Sequence, residues 1–376
     1  MKTKKVCVLG AGLVGKAIAI DLNEKYYVTS VDKNKSNLEI LRHKHLINTI
    51  YSDLSETRNI ADLVQGFDLV VVAMPGFLGY RTLEAVINAG KNVVDISFFP
   101  EDAFMLDELA KEKNVTAVID CGVAPGMGNL ILGYHYSRML VSNYECYVGG
   151  LPFERNYPFQ YKAPFSPIDV IEEYTRPSRL VINNVIMIKE ALSDPELIDF
   201  PGVGTLEAFN TDGLRSLLYT MNVKDMKEKT MRYPGHIEII KLLKSIGLFD
   251  DNEIDYNGFK VSPRDFISKF LIDKWKLGPD EKEFTIMKVV VEGFEDEEPK
   301  SYTYSLFDSY DKLTGFSSMA RTTGFTATAV ADLILDDKIT KKGILPPELI
   351  GDDEYVFKHI FAYQRERGIE YKISTD

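Results

Sequence analysis

The sequence predicts an α/β fold: a doubly wound parallel sheet in the first third of the chain, followed by a second α/β (α+β) domain. Short apolar runs alternate with helical patterns up to about residue 120, and a glycine-rich turn follows the first run. The chain has 376 residues, which is more than a single hydrophobic core usually serves. Its composition, 45% hydrophobic and 27% charged, is that of an ordinary globular protein, so we expect two well-packed domains.

The first three predicted elements are a strand, a helix and a second strand. Residues 6–9 form a short, continuously apolar run, which is typical of a strand covered on both faces of a parallel sheet. Apolar residues then recur at helical spacing from 13 to 22, and residues 27–31 return to strand character. Together they predict a βαβ unit.

Three glycines lie at the turn of this unit, in the sequence GAGLVG. Gly10 suits the tight turn, Gly12 lets the backbone approach a pyrophosphate, and Gly15 lets the helix lie close to the strand. The phosphates would meet the positive end of the helix dipole and its free N–H groups, which belong to residues such as Leu13 and Val14. The motif therefore predicts a dinucleotide site.

An acidic residue ends the second strand of the unit. Asp32 lies 17 positions after Gly15, about where a carboxylate accepts hydrogen bonds from the hydroxyls of the adenosine ribose. A 2′-phosphate would be repelled there, so Asp32 favours NAD over NADP. The neighbouring cation, Lys33, keeps NADP open as the alternative.

The alternation continues through four further strand patterns, at 46–51, 68–73, 92–96 and 116–119, with helical patterns near 57–65, 79–89 and 101–113. Six strands make a full doubly wound sheet, whose ligands bind outside the carboxyl ends of the strands. Candidate site residues at these ends are Asp53, Leu54, Met74, Pro75, Asp95, Ser97, Phe98, Asp120 and Cys121.

Several of these residues also have a purely structural interpretation. Asp53 could be a turn or helix N-terminal residue, and Pro75 could belong to a turn only. Cys121 could be a small packing residue. Asp95 and Asp120 directly follow apolar strands, where a buried carboxylate is costly unless something partners it, so a site role and a structural role stay equally open.

A second domain follows residue 122. A helix is predicted in APGMGNLILGYHYSRM, strands in YECYVGGLP, FQYKAPFS, TLEAFN and KTMRY, and a long hairpin at 283–310 around the acidic turn EDEEPK. The segment MARTTGFTATAVADLIL becomes an apolar helix, which we expect to return to the nucleotide domain. The predicted ranges are 1–122 for the dinucleotide domain, 123–315 for the second domain and 316–376 for the returning helical segment.

Composition excludes several classes of function. A net charge of −12 disfavours binding to nucleic acid. Three cysteines give no disulfide framework, and the five histidines form no ligand pattern, so we predict no metal and a reducing cytoplasm. No stretch approaches the roughly 20 apolar residues that a membrane helix needs, so we predict no membrane partner.

Several separate stretches together resemble the saccharopine dehydrogenase-like family, specifically its branch of saccharopine reductases and L-lysine 6-dehydrogenases. They are GAGLVG, DCGVAPGMGN, GGLP, QYKAPFS, LEAFNTDGLRSL, MRYPGH and MARTTGF, in this order along nearly the whole chain. The resemblance implies a Rossmann domain, an inserted substrate and dimerisation domain, an amino-acid substrate, hydride transfer at a carbon–nitrogen bond, and a homo-oligomer, either a dimer or a tetramer.

Two departures from the family pattern bear on the substrate. Saccharopine reductases carry an acidic residue before Pro-Gly where GVAPG has Ala124, and an arginine of their YPNRDS-like stretch helps to hold a substrate carboxylate, whereas AFNTDG has Asp212 and no arginine. Saccharopine has three carboxylates, whereas lysine has one carboxylate and two amines. An aspartate can pair with an ammonium group, so this exchange favours lysine.

The resemblance also implies the substrate-binding residues. Arg232 would hold the α-carboxylate through a two-point hydrogen bond, and Asp212 would hold the α-amino group. Structural alternatives are a salt bridge for Arg232, a helix N-cap for Asp212, and a helix cap for Thr323. The other expected substrate contacts are Ser97, Phe98, Tyr161, Thr211, Thr230 and Thr323.

The predicted reaction is the oxidation of L-lysine at its ε-carbon, in which NAD accepts the hydride and the products are 2-aminoadipate 6-semialdehyde and ammonia. The protonated amine must first lose a proton, and the candidate bases are Lys162 and Asp95. One alternative is a dehydrogenase that acts on saccharopine or a carboxylated polyamine. A second is a non-catalytic NAD-binding protein.

Overall fold

A computed structural model describes residues 2–278 and 281–376 and divides the chain into two compact units. The first unit comprises residues 1–140 and 319–370, and the second comprises residues 141–318 and 371–376. The first unit thus extends past the predicted limit at 122, because the next helix packs within it: a Cβ on Gly133 would overlap the backbone of Glu348, and the rings of Tyr134 and Phe357 stack 3.9 Å apart.

The regular elements are numbered in chain order. The strands are β1 Lys5–Leu9, β2 Tyr27–Asp32, β3 Asn48–Tyr51, β4 Leu69–Val72, β5 Asn92–Asp95, β6 Thr116–Val118, β7 Leu140–Pro152, β8 Ser178–Ile182, β9 Val185–Lys189, β10 Glu196–Phe200, β11 Gly204–Asn210, β12 Asp225–Arg232, β13 Ile254–Tyr256, β14 Phe259–Val261, β15 Glu283–Glu295, β16 Glu298–Ser309, β17 Gly343–Leu345 and β18 Tyr371–Thr375. The helices are α1 Leu13–Leu22, α2 Lys35–His45, α3 Ile60–Val64, α4 Gly76–Asn88, α5 Asp107–Glu112, α6 Met127–Tyr136, α7 Pro167–Thr175, α8 Leu217–Thr220, α9 His236–Ser245, α10 Pro263–Trp275, α11 Ser318–Leu335 and α12 Glu354–Glu366.

The first unit contains a parallel sheet with the strand order β17-β6-β5-β4-β1-β2-β3. All six strands predicted from the apolar runs are present. The seventh strand, β17, was missed because three residues carry too little periodic signal to mark a strand. The chain order reverses between β1 and β4, so the glycine-rich turn after β1 lies at the position where doubly wound sheets bind their ligands.

The core of this unit explains why its strands were easy to recognise. Residues 6–9 and 69–72 are fully buried, as expected of central parallel strands covered on both faces by helices. Helix α11, predicted from its apolar sequence, supplies a buried stretch to the same unit, since residues 319–370 belong to it.

The second unit is built on a mixed sheet with the path β10-β11-β12-β7-β15-β16-β18, to which the hairpin β8–β9 is attached through β12. Strand β12 runs parallel to β7 and antiparallel to β11. One apolar cluster includes residues of α7, α9 and α10, among them the fully buried Trp275. A second cluster, which includes Met231 of β12, lies among residues of β7, β11 and β15.

The long hairpin predicted at 283–310 is confirmed, because β15 and β16 pair in register up to Glu295 and Glu298. Its two turn residues, Asp296 and Glu297, have φ angles of 50° and 69°. The strand predicted in FQYKAPFS is wrong: its sheet-like contact is a single bridge between Ala163 and Lys276. Pro164 lacks the N–H that a ladder needs, which accounts for this.

Candidate functional site

The first functional group is the glycine cradle, defined as residues 10–15 together with Asp32. Gly10 has a φ of 108°, and a Cβ there would overlap the carbonyl oxygen of Ala73. A Cβ on Gly15 would overlap the carbonyl oxygen of Gly10, so this glycine allows α1 to lie against the turn. Gly12 differs, because its Cβ would meet no heavy atom within 4 Å. The open space beside Gly12 is what a bound phosphate requires.

The start of helix α1 completes the anion-binding character of the cradle. Its N-cap is Gly12, which provides no side-chain cap, and its first turn contains no acidic residue. The first amides of the helix, including those of Leu13 and Val14, have no carbonyl partner within the helix and point to the side where the dipole is positive. These residues would hold the pyrophosphate of a dinucleotide through backbone N–H groups.

The carboxylate of Asp32 stabilises the glycine cradle through hydrogen bonds to the backbone. Its Oδ2 accepts a hydrogen bond from the amide of Ala11 at 2.6 Å, and its Oδ1 accepts one from the amide of Asn34 at 2.7 Å. Each carboxylate oxygen has a second lone pair, so Asp32 can still accept hydrogen bonds from ribose hydroxyls. The neighbouring Lys33 lies 3.6 Å from Oδ1 of Asp53, in an exposed ion pair.

The other candidates at the strand ends of the first unit have local structural roles. Asp53 is exposed and accepts hydrogen bonds from the amide and hydroxyl of Ser55, which lower its pKa, so its turn interpretation fits the geometry. Pro75 precedes α4 as its N-cap residue. Leu54 is a core residue, and Met74 packs against that core and near Gly10. Their contacts with a cofactor stay predictions.

Asp95 and its neighbours form a buried group after β5. Oδ1 of Asp95 accepts the amide of Ser97 at 2.6 Å, and Cys121 donates its amide to the carbonyl of Asp95. Burial raises the pKa of the Cys121 thiol, with further contributions from Asp120 and Asp95, so this thiol is a packing residue rather than a thiolate. Phe98 is half-buried. The catalytic role of Asp95 stays a prediction.

Thr323 lies within α11, five residues after its first residue, so the helix-cap interpretation is wrong. Its Cγ2 lies 3.2 Å from where a Cβ on Gly122 would be, so the Thr323 side chain packs on the DCGVAPG segment. Ser97, Phe98 and Thr323 all belong to the first unit, whereas the remaining predicted substrate residues belong to the second.

The second functional group is the polar cluster of the second unit, defined as Tyr161, Glu173, Tyr174, Arg179, Thr211, Asp212, Glu228, Thr230, Arg232 and His236. Residues 228, 230 and 232 alternate along β12 and therefore share one face of the sheet. All three are at least nine-tenths buried. Buried polar side chains are costly unless they are partnered, so each contact in this cluster needs an explanation.

Arg232 is held by three of its five N–H groups. Nε donates to the Tyr174 hydroxyl at 3.0 Å, Nη1 donates to the Met231 carbonyl at 3.0 Å, and Nη2 donates to Oε2 of Glu173 at 2.7 Å. Burial lowers the pKa of Arg232, but Tyr161, Tyr174 and Glu173 outweigh it and raise the pKa further, so the guanidinium is always charged. Within the described residues, each terminal nitrogen retains one N–H without a partner, and that pair can bind a carboxylate at two points.

A hydrogen-bonded chain fixes the orientation of this arginine. The Phe159 carbonyl can only accept a hydrogen bond, so Nδ1 of His236 carries the proton and donates to it at 2.8 Å. Nε2 of the neutral ring therefore accepts from the Tyr174 hydroxyl at 2.9 Å, while the Tyr174 oxygen accepts from Arg232. Burial and the charge of Arg232 lower the pKa of His236 to about 3, which keeps the imidazole neutral.

Tyr161 lies over the same guanidinium, with its ring centroid 4.3 Å from the Arg232 carbon. Its hydroxyl is buried, and within the described residues it has no hydrogen-bond partner. A buried hydroxyl without a partner is unfavourable, and the nearby free N–H groups of Arg232 are donors only. A ligand carboxylate at this position would accept hydrogen bonds from both the Tyr161 hydroxyl and the N–H groups of Arg232.

Asp212 already has a cation. Arg179 donates from Nε to Oδ1 and from Nη2 to Oδ2, both at 2.8 Å, and its backbone amide also reaches Oδ1. Arg179 follows α7 and lies far from residue 212 in sequence, so the sequence pattern did not indicate this pair. The expected loss of a cation in AFNTDG is therefore compensated, and the electrostatic argument for lysine loses most of its force.

Lys162 has an anion as its neighbour. Nζ lies 3.1 Å from Oε1 of Glu281, and both side chains are partly exposed. This neighbour is an anion rather than one of the cations that would favour a neutral amine, and the assignment of Lys162 as a base stays a prediction.

Sequence reasoning missed the residues that partner the predicted ones. Glu173 and Tyr174 lie on α7, whose bounds were not predicted from the sequence, and His236 was taken as one of several unpatterned histidines. The signal that could have indicated α7 is Pro167 at its first turn, followed by apolar residues at helical spacing.

Within residues 2–278 and 281–376, no group of three or more His, Cys, Asp or Glu side chains is arranged to hold a metal ion. In the same part of the chain, no helix combines the length and apolar character that crossing a bilayer would need. The three cysteines are buried and unpaired.

Two family models match the chain. The saccharopine dehydrogenase NADP binding domain matches residues 6–118, and the saccharopine dehydrogenase C-terminal domain matches residues 122–369. The solved structure of apo saccharopine dehydrogenase (L-Glu forming) from Saccharomyces cerevisiae superposes with a TM-score of 0.79 at 18% identity, covering 100% of both chains. This structural likeness shows the fold.

Three curated relatives share 21% to 23% sequence identity with this chain. The mitochondrial alpha-aminoadipic semialdehyde synthase of Bos taurus is 23% identical over 92% of this chain, which spans only 45% of that relative. Carboxyaminopropylagmatine dehydrogenase of Synechocystis is 21% identical, with 94% of both chains covered. Saccharopine dehydrogenase [NADP(+), L-glutamate-forming] of Saccharomyces cerevisiae is 22% identical, with 92% of this chain and 94% of that one covered.

Proposed function

The chain belongs to the saccharopine dehydrogenase family, and we propose that it is a nicotinamide-dependent oxidoreductase that acts on the carbon–nitrogen bond of a carboxylated amine. Saccharopine and carboxylated polyamines are the leading substrate classes. Two relatives that this chain matches along nearly their full length are named for dehydrogenation of such compounds.

The observation that carries the substrate class is the pairing of Arg179 with Asp212. Arg176 lies close enough to interact electrostatically with both members of this pair and with Arg215, and it is also paired with Glu172 at 3.6 Å. Because Arg179 neutralises Asp212, this carboxylate is not left to select an ammonium group. The neighbouring guanidiniums favour a substrate with more than one carboxylate.

The side chains of the polar cluster would bind and orient this substrate. The two free N–H groups of Arg232 and the Tyr161 hydroxyl would take one carboxylate, and the chain from Tyr174 through His236 to Phe159 would prevent the guanidinium from turning away. The glycine cradle fits a nicotinamide dinucleotide, which when bound supplies the hydride acceptor.

We further propose NAD rather than NADP as the preferred cofactor, because Asp32 would repel a 2′-phosphate. The family model for this region is described as NADP binding, so membership of the family does not itself predict NAD. The preference can be tested directly with the two cofactors. The ratio of kcat/KM for the two cofactors should favour NAD. Asp32→Ser should reverse the ratio, and Lys33→Ser, as the matched control, should leave NAD preferred.

L-Lysine 6-dehydrogenase activity is the second candidate. The buried carboxyl group of Glu228, which forms no ion pair within the described residues, favours a substrate whose ammonium group is remote from its carboxylate. Absorbance at the NADH band, recorded with saccharopine, carboxyaminopropylagmatine or L-lysine and each cofactor, decides between them. Turnover of L-lysine alone would replace the first proposal, and cofactor binding without turnover of any amine would indicate a non-catalytic protein.

We also propose that the protein is a homo-oligomer. Strand β9 pairs with β8 on one edge and exposes four consecutive apolar residues, Val185 to Ile188. An exposed apolar edge strand is a template for pairing with another strand, here that of a second copy. Light scattering should give a dimer or larger species, and Met187→Pro should shift it toward the monomer.

A further inference from the structure

Glu228 is a carboxyl group built into the polar cluster without a cation. It is 7% exposed and lies in the middle of β12. Oε2 accepts the Thr211 hydroxyl at 2.6 Å, and the backbone amide of Gly213 also donates to the carboxylate. A Cβ on Gly213 would overlap this carboxylate, so the glycine makes room for it.

The other two carboxylates of the polar cluster each have their own guanidinium. Arg179 neutralises Asp212, and Arg232 neutralises Glu173. In the part of the chain that the structure describes, Glu228 forms no ion pair. A carboxylate buried in this way is unfavourable unless it becomes neutral or receives a cation from outside the chain.

The groups that face Glu228 are themselves acidic or neutral. Glu173 of α7 and Asp212 of the loop after β11 act on it electrostatically, and Cys146 lies opposite it on β7. Burial raises the pKa of Glu228 to about 8, with further increases from Glu173 and Asp212, while Thr211 and Gly213 partly oppose the shift. Near neutral pH the group therefore holds a proton that an approaching cation would displace.

We propose that Glu228 receives an ammonium group of the substrate, an assignment that rests on the proposed amine-oxidising function. Residues two apart on a strand are separated by about 6.6 Å, so Glu228 and Arg232 are roughly 13 Å apart along β12. With a carboxylate at Arg232, the ammonium at Glu228 lies several bonds away rather than on the same carbon. The matching ligand is an elongated aminocarboxylate, which is the chemical class of both lysine and saccharopine.

Binding of an ammonium group must release the proton of Glu228 to the buffer. Titration calorimetry at pH 7 in phosphate and in Tris, two buffers with different ionisation enthalpies, measures this release. Saccharopine, L-lysine and agmatine serve as ammonium-bearing probes, and hexanoate is the analogue of lysine without amino groups. Glu228→Gln keeps the shape and the acceptor for Thr211, and Glu145→Gln on the neighbouring strand β7 is the matched control.

We expect the wild type and Glu145→Gln to release close to one proton on binding saccharopine or L-lysine. Glu228→Gln should release none and should bind those probes roughly 10- to 100-fold more weakly, the usual loss for a charged hydrogen bond. Hexanoate should bind both proteins equally. Equal proton release in Glu228→Gln, or no binding of any ammonium-bearing probe to the wild type, would overturn the assignment.

The two proposals fail in different ways. A wild-type protein that binds the probes with proton release at Glu228, but oxidises none of them with either cofactor, contradicts the proposed function and supports the ammonium site. Turnover that is accompanied by unchanged proton release in Glu228→Gln contradicts the ammonium site and leaves the enzyme assignment intact.

Discussion

The glycine cradle and the polar cluster are assembled in opposite ways. The cradle comes from six consecutive residues and one carboxylate at the end of the next strand. The polar cluster takes its members from the segment before α7, from α7, β8, the segment after β11, β12 and α9, separated by up to about 75 residues. The first is a local solution to binding phosphate, and the second exists only after a sheet and its covering helices have come together.

The two groups also differ in what makes them polar. The cradle offers backbone N–H groups, whose geometry depends on which positions lack a Cβ. The cluster offers side-chain charges, which must be neutralised where they are buried. Substitutions in the cradle should therefore act through shape and cofactor binding, whereas substitutions in the cluster should act through electrostatics and stability.

The largest effect is expected from breaking the most buried ion pair of the cluster. Arg232→Met leaves the Glu173 carboxylate without its cation, so the free energy of unfolding should fall by about 3–5 kcal/mol. Urea unfolding measures the change. Lys358→Met is the control, because its ion pair with Glu354 is exposed and contributes little. Similar losses for both variants would contradict this view of the cluster.

The second largest effect is expected in the pH dependence of stability, where comparing the wild type with Glu228→Gln isolates the contribution of Glu228. Its pKa is raised in the folded state, so its contribution to stability is complete below the ordinary value of 4.5 and is lost as the pH rises to about 8. Between pH 5 and 9 the wild type should lose stability relative to Glu228→Gln, on the order of 4 kcal/mol at most. A constant difference in denaturant midpoints across that range would contradict this.

Two glycine variants of the cradle should separate an effect on the free energy of unfolding from an effect on cofactor affinity. Gly15→Ala places a methyl group against the Gly10 carbonyl and should cost about 1–3 kcal/mol of unfolding free energy. Gly12→Ala meets no protein atom, so its unfolding free energy should change by less than about 0.5 kcal/mol while cofactor affinity falls. Normal NAD or NADP binding by Gly12→Ala would show that the phosphates lie elsewhere.

The smallest effect is expected at Lys162. Its ion pair with Glu281 is partly exposed, so Lys162→Gln should change the free energy of unfolding by no more than about 1 kcal/mol. Because the ammonium is paired with an anion, we expect kcat to fall less than tenfold. A loss of 100-fold or more, together with an altered pH profile, would instead identify Lys162 as the base.

The contrast between the glycine cradle and the polar cluster explains which parts of the structure could be predicted from the sequence. The six strands and the turn of the first unit follow from apolar runs, since a parallel sheet covered on both faces leaves a continuous signal. In the second unit, the four apolar residues of β9 are all exposed, and β17 of the first unit has three residues, so neither shows a period that distinguishes it.

The site shows the same limit. Gly10, Gly12, Gly15 and Asp32 were recognisable because their spacing is fixed by local geometry. The pairing of Asp212 with Arg179 depends on how the hairpin β8–β9 lies against β12, which no short-range pattern encodes. Reading Asp212 alone suggested an unpaired anion, and the folded chain shows a neutral pair.

The polypeptide passes between its two units three times, at residues 140–141, 318–319 and 370–371, because strand β18 joins the sheet of the second unit. A protease that cuts any one of these connections leaves the halves linked through the other two. Neither half can be expressed as one uninterrupted fragment, so dissecting this protein requires a designed loop in place of the excised segment rather than a simple deletion.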